Sequence, residues 1–155
     1  MGAMRKTLWA AAIAALPAPA AAQELCAGLN RIVAAAHEPV PFASLENAPE
    51  SVLPDFERPC RVHVTYATGA RTFLCSQYQF APRSLAMETL GPAVRDCLGA
   101  ETLPSRPFSA VLRYRVRDLI VTVSSHCEER CHVGRSATVS VERRPEEAPA
   151  GNPQQ

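Results

Sequence analysis

The chain has 155 residues, 16 Lys plus Arg against 15 Asp plus Glu, and a formal charge of +1. That length suits one small domain able to bury a real core. The near-neutral balance excludes a global field that would draw the chain to nucleic acid or an anionic membrane.

Arg5 and Lys6 supply a positive start, Leu8 to Leu16 form a short apolar run, and Pro17 follows. Small residues Ala20, Ala21 and Ala22 then precede Gln23. This three-part pattern reads as a secretory signal over residues 1–22, cleaved after Ala22. The apolar run is shorter than the roughly 20 residues a spanning helix needs. No later stretch is apolar enough to span, so no membrane span is expected. The expected location is periplasmic or secreted, in a bacterial setting. Residues 23–142 would form a single domain, and residues 143–155 (RRPEEAPAGNPQQ) lack any apolar pattern and read as a disordered tail.

Residues 24–36 carry Leu25, Leu29, Ile32, Val33 and Ala36 at helical spacing, an amphipathic helix. Residues 37–59 hold Pro39, Pro41, Pro49, Pro54 and Pro59, which excludes a long helix or a central strand. Phe42, Leu45, Leu53 and Phe56 are expected to pin this segment to the core. Residues 60–66 and 71–80 alternate as two strands, with a turn at Thr68-Gly69-Ala70. Setting Val64 opposite Cys75 pairs Tyr66 with Phe73 and Val62 with Gln77. The expected buried set is then Val62, Val64, Tyr66, Phe73 and Cys75.

Ser84 is a credible N-cap for a second helix, and Met87, Leu90, Val94, Cys97 and Leu98 form its stripe. Pro92 should kink or split that helix, and Gly99 should end it. Residues 109–116 and 119–126 pair about a two-residue turn at Arg117-Asp118. That sets Val116 opposite Leu119, Tyr114 opposite Val121 and Leu112 opposite Val123. Arg-Asp departs from the usual Asn-Gly preference, which leaves room for a bulge. Residues 136–142 give a last strand with Ala137, Val139 and Val141 inward. The order α-β-β-α-β-β-β predicts an α+β two-layer sandwich: an antiparallel sheet of about five strands with both helices on one face.

Six cysteines in an exported chain predict three disulfides, with 15 connectivities open. A dozen helical residues, each rising about 1.5 Å, would return Cys97 to the level of Cys75, so Cys75–Cys97 is the first expectation. Cys26–Cys60 would close the proline-rich segment and stabilise by about 3 kcal/mol in the loop-entropy model. Cys127–Cys131 would staple a small loop.

That loop, residues 126–135 (HCEERCHVGR), holds His126, Cys127, Cys131 and His132 within seven residues. Zinc or copper binding is one reading of this set. Adjacent His-Cys ligands chelate awkwardly and export favours oxidation, so the stapled loop is preferred, with no metal or cofactor. A rigid loop bearing His126, Glu128, Glu129, Arg130 and His132 is a candidate binding tip, because little ordering entropy is lost on contact. Such a Cys-bracketed, His-containing loop on a helix-flanked antiparallel sheet resembles the periplasmic lysozyme inhibitors of the Ivy type. The resemblance covers the loop and the general architecture. The cysteine spacing differs by one residue and the histidines lie outside the cysteines, so no function is carried over.

The sheet face away from the helices should present Arg61, His63, Thr65, Leu74, Ser76, Tyr78, Phe80, Arg113, Arg115, Ile120 and Thr122. Arg113 and Arg115 make that face a second candidate surface for an anionic or protein ligand. An ordinary solvated face is the plainer alternative. No phosphate loop, nucleophile elbow or assigned base appears among the motifs. The expected function is a small exported binding or inhibitory module, not an enzyme, whose partner is unknown but could be an envelope protein. Metal binding through the His/Cys loop, and a hydrolase without a recognisable motif, are the alternatives.

Overall fold

The computed structural model describes residues 20–46, 48, 52–53, 56, 60–78, 87–106, 110–127 and 135–143. The fold is α+β, a six-stranded antiparallel sheet with two helices packed on one face. The helices are α1 (Ala20–Ala36) and α2 (Met87–Leu98). The strands are β1 (Arg61–Val64), β2 (Arg71–Tyr78), β3 (Glu101–Thr102), β4 (Val111–Val116), β5 (Leu119–Cys127) and β6 (Arg135–Arg143). Their spatial order is β1-β2-β6-β5-β4-β3. The last strand therefore fills the gap between the first hairpin and the β3-β4-β5 meander. The expected five strands become six because β3, only two residues long, pairs along β4.

Alternation puts one residue in two beneath the helices. Val62, Phe73, Val141, Val121 and Tyr114 lie side by side in one cross-strand row. Cys75, Val139, Val123 and Leu112 form the next. Over them α1 buries Leu25, Leu29, Ile32, Ala35 and Ala36, and α2 buries Leu90 and Val94. Phe42, Leu45, Leu53 and Phe56 are all buried, so the proline-rich segment is pinned as its sequence predicts. Phe42 stacks on Phe73 with ring centroids 5.6 Å apart. Its backbone sits at φ 63, held by a hydrogen bond from its N–H to the Ala35 carbonyl.

The β4–β5 register matches expectation at every paired position, and no bulge interrupts it. Arg117 takes φ 55, the positive φ that a primed two-residue hairpin turn demands at its first position. The β1–β2 register does not match. Val62 faces Phe73, and Val64 faces Arg71. The turn is longer than Thr68-Gly69-Ala70: Thr65 N–H donates to the Ala70 carbonyl, and Gly69, at φ 67, donates back to Thr65. Residues 66–69 are thus the loop, and Tyr66 at its tip is fully exposed. Val64 is also exposed, so neither belongs to the core.

The same shift corrects the disulfides. Continuing the observed register by one residue sets Cys60 opposite Cys75, and these two are bonded with Cα atoms 4.3 Å apart. Cys97, in the last turn of α2, instead bonds Cys26 of α1, Cα to Cα 4.9 Å. That bridge ties helix to helix, replacing both expected pairings, Cys75–Cys97 and Cys26–Cys60. The expected Cys127–Cys131 bridge lies outside the described residues.

Helix α2 is neither split nor stopped at Pro92, which sits on its exposed side where the unpaired carbonyl meets water. Gly99 ends it at φ 57, with Ala100 N–H donating to the Arg95 carbonyl, a Schellman closure. Ser84 lies outside the described residues. Among those residues no helix is long and apolar enough to cross a membrane. The two disulfides are compatible with an extracellular or periplasmic protein. Helix α1 begins at Ala20, ahead of the expected cleavage point, but all its buried residues follow that point. Residues 1–19 and 144–155 lie outside the described residues, whereas Arg143, expected in the tail, completes β6.

Candidate functional site

The face away from the helices carries the other half of each strand. One row across all six strands reads His63, Thr72, Glu142, Ile120, Arg115 and Glu101. The neighbouring row reads Arg61, Leu74, Ser140, Thr122 and Arg113. The middle of the face is rich in small hydroxyl residues, and Ser76 and Thr138 share a hydrogen bond of 3.1 Å. Cations stand toward the two edges.

At the end of the sheet near the β1–β2 turn this face is concave. A groove of about 440 Å³ has Thr72, Glu142, Ile120, Arg115 and Arg113 as its floor. Thr65 and Ala70 rise on one side, and Leu103 and Pro104 on the other. Leu103 is held there because its N–H donates to the Arg113 carbonyl, which carries the β3 side of the sheet past its last paired residue. The volume falls within the span typical of small-molecule clefts. Ile120 is only 6% exposed although it faces away from the helices. The floor therefore has an apolar centre between charged side chains.

Those charges are unevenly engaged. Arg115 Nη1 reaches Glu101 Oε2 at 3.3 Å, an exposed pair of small energetic weight. Arg71, which also lines the groove, donates through Nε to the Pro41 carbonyl at 2.8 Å and through Nη2 to Glu46 at 2.6 Å. Arg143 donates through Nε to Asp118 Oδ2 at 3.0 Å. Arg113 and Glu142 have no hydrogen-bond or ion-pair partner among the described residues.

Of the residues expected from sequence, the groove gathers Arg113, Arg115, Ile120 and Thr65. Arg61, His63, Leu74 and Thr122 share the same face beside it. Sequence reasoning missed Thr72, Glu142, Leu103 and Pro104. Alternation could have placed Glu142 outward, since Val139 and Val141 point inward. No local pattern marks residues 103–104.

The 126–135 loop, expected from sequence to be stapled, begins at the opposite end of β5. From Ile120 to Cys127 is about 23 Å of strand. His126 and Cys127 close β5 opposite Ser136 and Arg135, and their side chains lie outside the described residues. Glu128, Glu129, Arg130, Cys131 and His132 also lie outside them, as does Phe80. Among the described residues no group of three or more His, Cys, Asp or Glu side chains is placed to hold a metal. No protein-family model, curated protein or solved structure matches this chain.

Proposed function

We propose that this chain is an exported, non-enzymatic binding or inhibitory module that holds its ligand in the outer-face groove. The observation that carries the reading is a small-molecule-sized cleft with an apolar centre, flanked by Arg113 and Arg115. One sheet face is spent on the helices. The other keeps a concave, partly charged surface that the domain's own packing does not use. Export to the periplasm is supported by the signal pattern of residues 1–22 and by two disulfides that suit an oxidising compartment. A non-enzymatic role is supported by the lack of a catalytic motif in the sequence. The 126–135 loop is a second contact surface only for a partner large enough to span β5.

The test is capture from cell-envelope extract by immobilised protein. The wild type is compared with Arg113→Glu in the groove and with a Glu129→Ala/His132→Ala loop variant. The groove reading predicts that Arg113→Glu loses the specific partner while the loop variant keeps most of it. Capture that survives Arg113→Glu and disappears with the loop variant would move the function to the loop.

A further inference from the structure

We infer that the groove recognises a short zwitterionic peptide, two or three residues long, by its two charged ends. The inference rests on the reading of the groove as the ligand site and names what that site takes. Two charges of opposite sign, Arg113 and Glu142, stand on the groove floor without partners among the described residues. Two unengaged opposite charges so close in the fold would ordinarily satisfy each other. Register explains why they do not. Arg113 faces Thr122, Glu142 faces Ile120, and β5 lies between the two strands. Two strand spacings and a two-residue offset hold their Cα atoms about 12 Å apart.

The intervening floor is apolar. Ile120 occupies the position between Glu142 and Arg115, and Leu103 and Pro104 wall the Arg113 end. An occupant must therefore bring a carboxylate to Arg113, an ammonium to Glu142 and an apolar midsection. The lining also holds Arg71, Arg115 and Arg143, so a phosphate dianion finds cations there but leaves Glu142 unpaired, and a simple cation leaves Arg113 unpaired. Extended peptides of two or three residues span about 7–10 Å between their termini. Side chains stand roughly perpendicular to a sheet, so the two charged ends stay near the Cα separation. A dipeptide of about 7 Å with a hydrogen bond of about 2.8 Å at each end fills that span. Arg113 offers a planar fork suited to a terminal carboxylate. Arg115, whose contact to Glu101 is exposed and long, can add a second donor.

The probes are three dipeptides: Ala-Leu, its N-acetyl form without the ammonium, and its C-terminal amide without the carboxylate. Binding is read from the NMR signals of Ile120 and Thr122 on titration of the full protein. Ala-Leu is expected to saturate, with the acetylated and amidated forms at least about ten-fold weaker. Arg113→Gln should bring Ala-Leu down to the level of the amide, and Glu142→Gln to that of the acetylated form. Both positions are exposed, and unchanged melting points verify that the variants fold. Equal binding of the acetylated peptide would overturn the inference in favour of a plain anion site. No saturable shift at Ile120 with any peptide up to roughly 10 mM would overturn it outright. Should that occur while Arg113→Glu still abolishes envelope capture, the groove stands as the binding surface and only the peptide assignment falls.

Discussion

His37 joins the end of α1 to the β4–β5 turn, and its protonation should be visible in stability. Its Nδ1 lies 2.9 Å from the Val33 carbonyl and its Nε2 2.8 Å from Asp118 Oδ1. Both neighbours are acceptors, so only the imidazolium can donate to both. Asp118 raises the His37 pKa above its usual value, the Val33 carbonyl adds to this, and Arg143 nearby opposes it. The hydrogen bond from His37 in turn lowers the Asp118 pKa. A raised histidine pKa contributes stability that is complete below the unfolded value of 6.5 and is lost as pH rises through the folded value. A lowered aspartate pKa contributes stability that is complete above 3.8 and is lost as pH falls through the folded value. The clasp is therefore strongest between about pH 4 and 6.5. The two side chains are 33% and 41% exposed, so solvent screens the pair and its worth is about 0.5 kcal/mol. The cation beside a helix C-terminal carbonyl adds a similar amount. His37→Gln should thus cost about 1 kcal/mol at pH 5.5 and much less at pH 9. Urea unfolding of both proteins at the two pH values, disulfides intact, measures this. An equal cost at both would refute the account, since it would leave packing and not charge as the role of His37.

Packing and the disulfides carry four further predictions. Gly91→Ala should destabilise by about 1–3 kcal/mol in urea unfolding, because a new Cβ would press on Leu112 and lie 2.8 Å from the Tyr114 hydroxyl. Phe73→Ala, deleting a ring stacked between sheet and loop, should cost about 3–5 kcal/mol, whereas Tyr66→Ser at the exposed hairpin tip should change stability by less than about 0.5 kcal/mol. Mass mapping of a non-reducing digest should return Cys26–Cys97 and Cys60–Cys75, and recovering Cys75–Cys97 would overturn the β1–β2 register. Replacing Cys26 and Cys97 together by Ala should cost about 4 kcal/mol against about 3 for the Cys60 and Cys75 pair, because it opens the longer loop.

What was legible in the sequence depended on whether local signals carried enough constraint. The β4–β5 hairpin was readable because a two-residue turn leaves one register, and Arg117 adopts the backbone conformation that turn requires. The β1–β2 hairpin was not, because moving each partner by two residues keeps every side chain on its own face. Alternation of Val62, Val64, Phe73 and Cys75 fits either pairing equally. Only the backbone bonds between Thr65 and Ala70 decide it, and the Cys60–Cys75 bridge follows from that decision. β3 is too short to show a period, and only its pairing with β4 identifies it. The outward side of Arg113, Arg115 and Ile120 was legible. That Glu142 would stand beside Ile120 was not, since periodicity assigns faces and does not assign neighbours. Placing β6 between β2 and β5 is a tertiary outcome.

The measurement that bears most directly on the groove is site-specific photo-crosslinking in intact envelope. A photoreactive residue is placed at Thr72 on the groove floor, at Ala34 on the exposed side of α1, or at Glu129 in the loop. The account predicts a discrete adduct from Thr72 and none from Ala34. An adduct from Ala34 or Glu129 with none from Thr72 would contradict the claim that the open sheet face is the working surface.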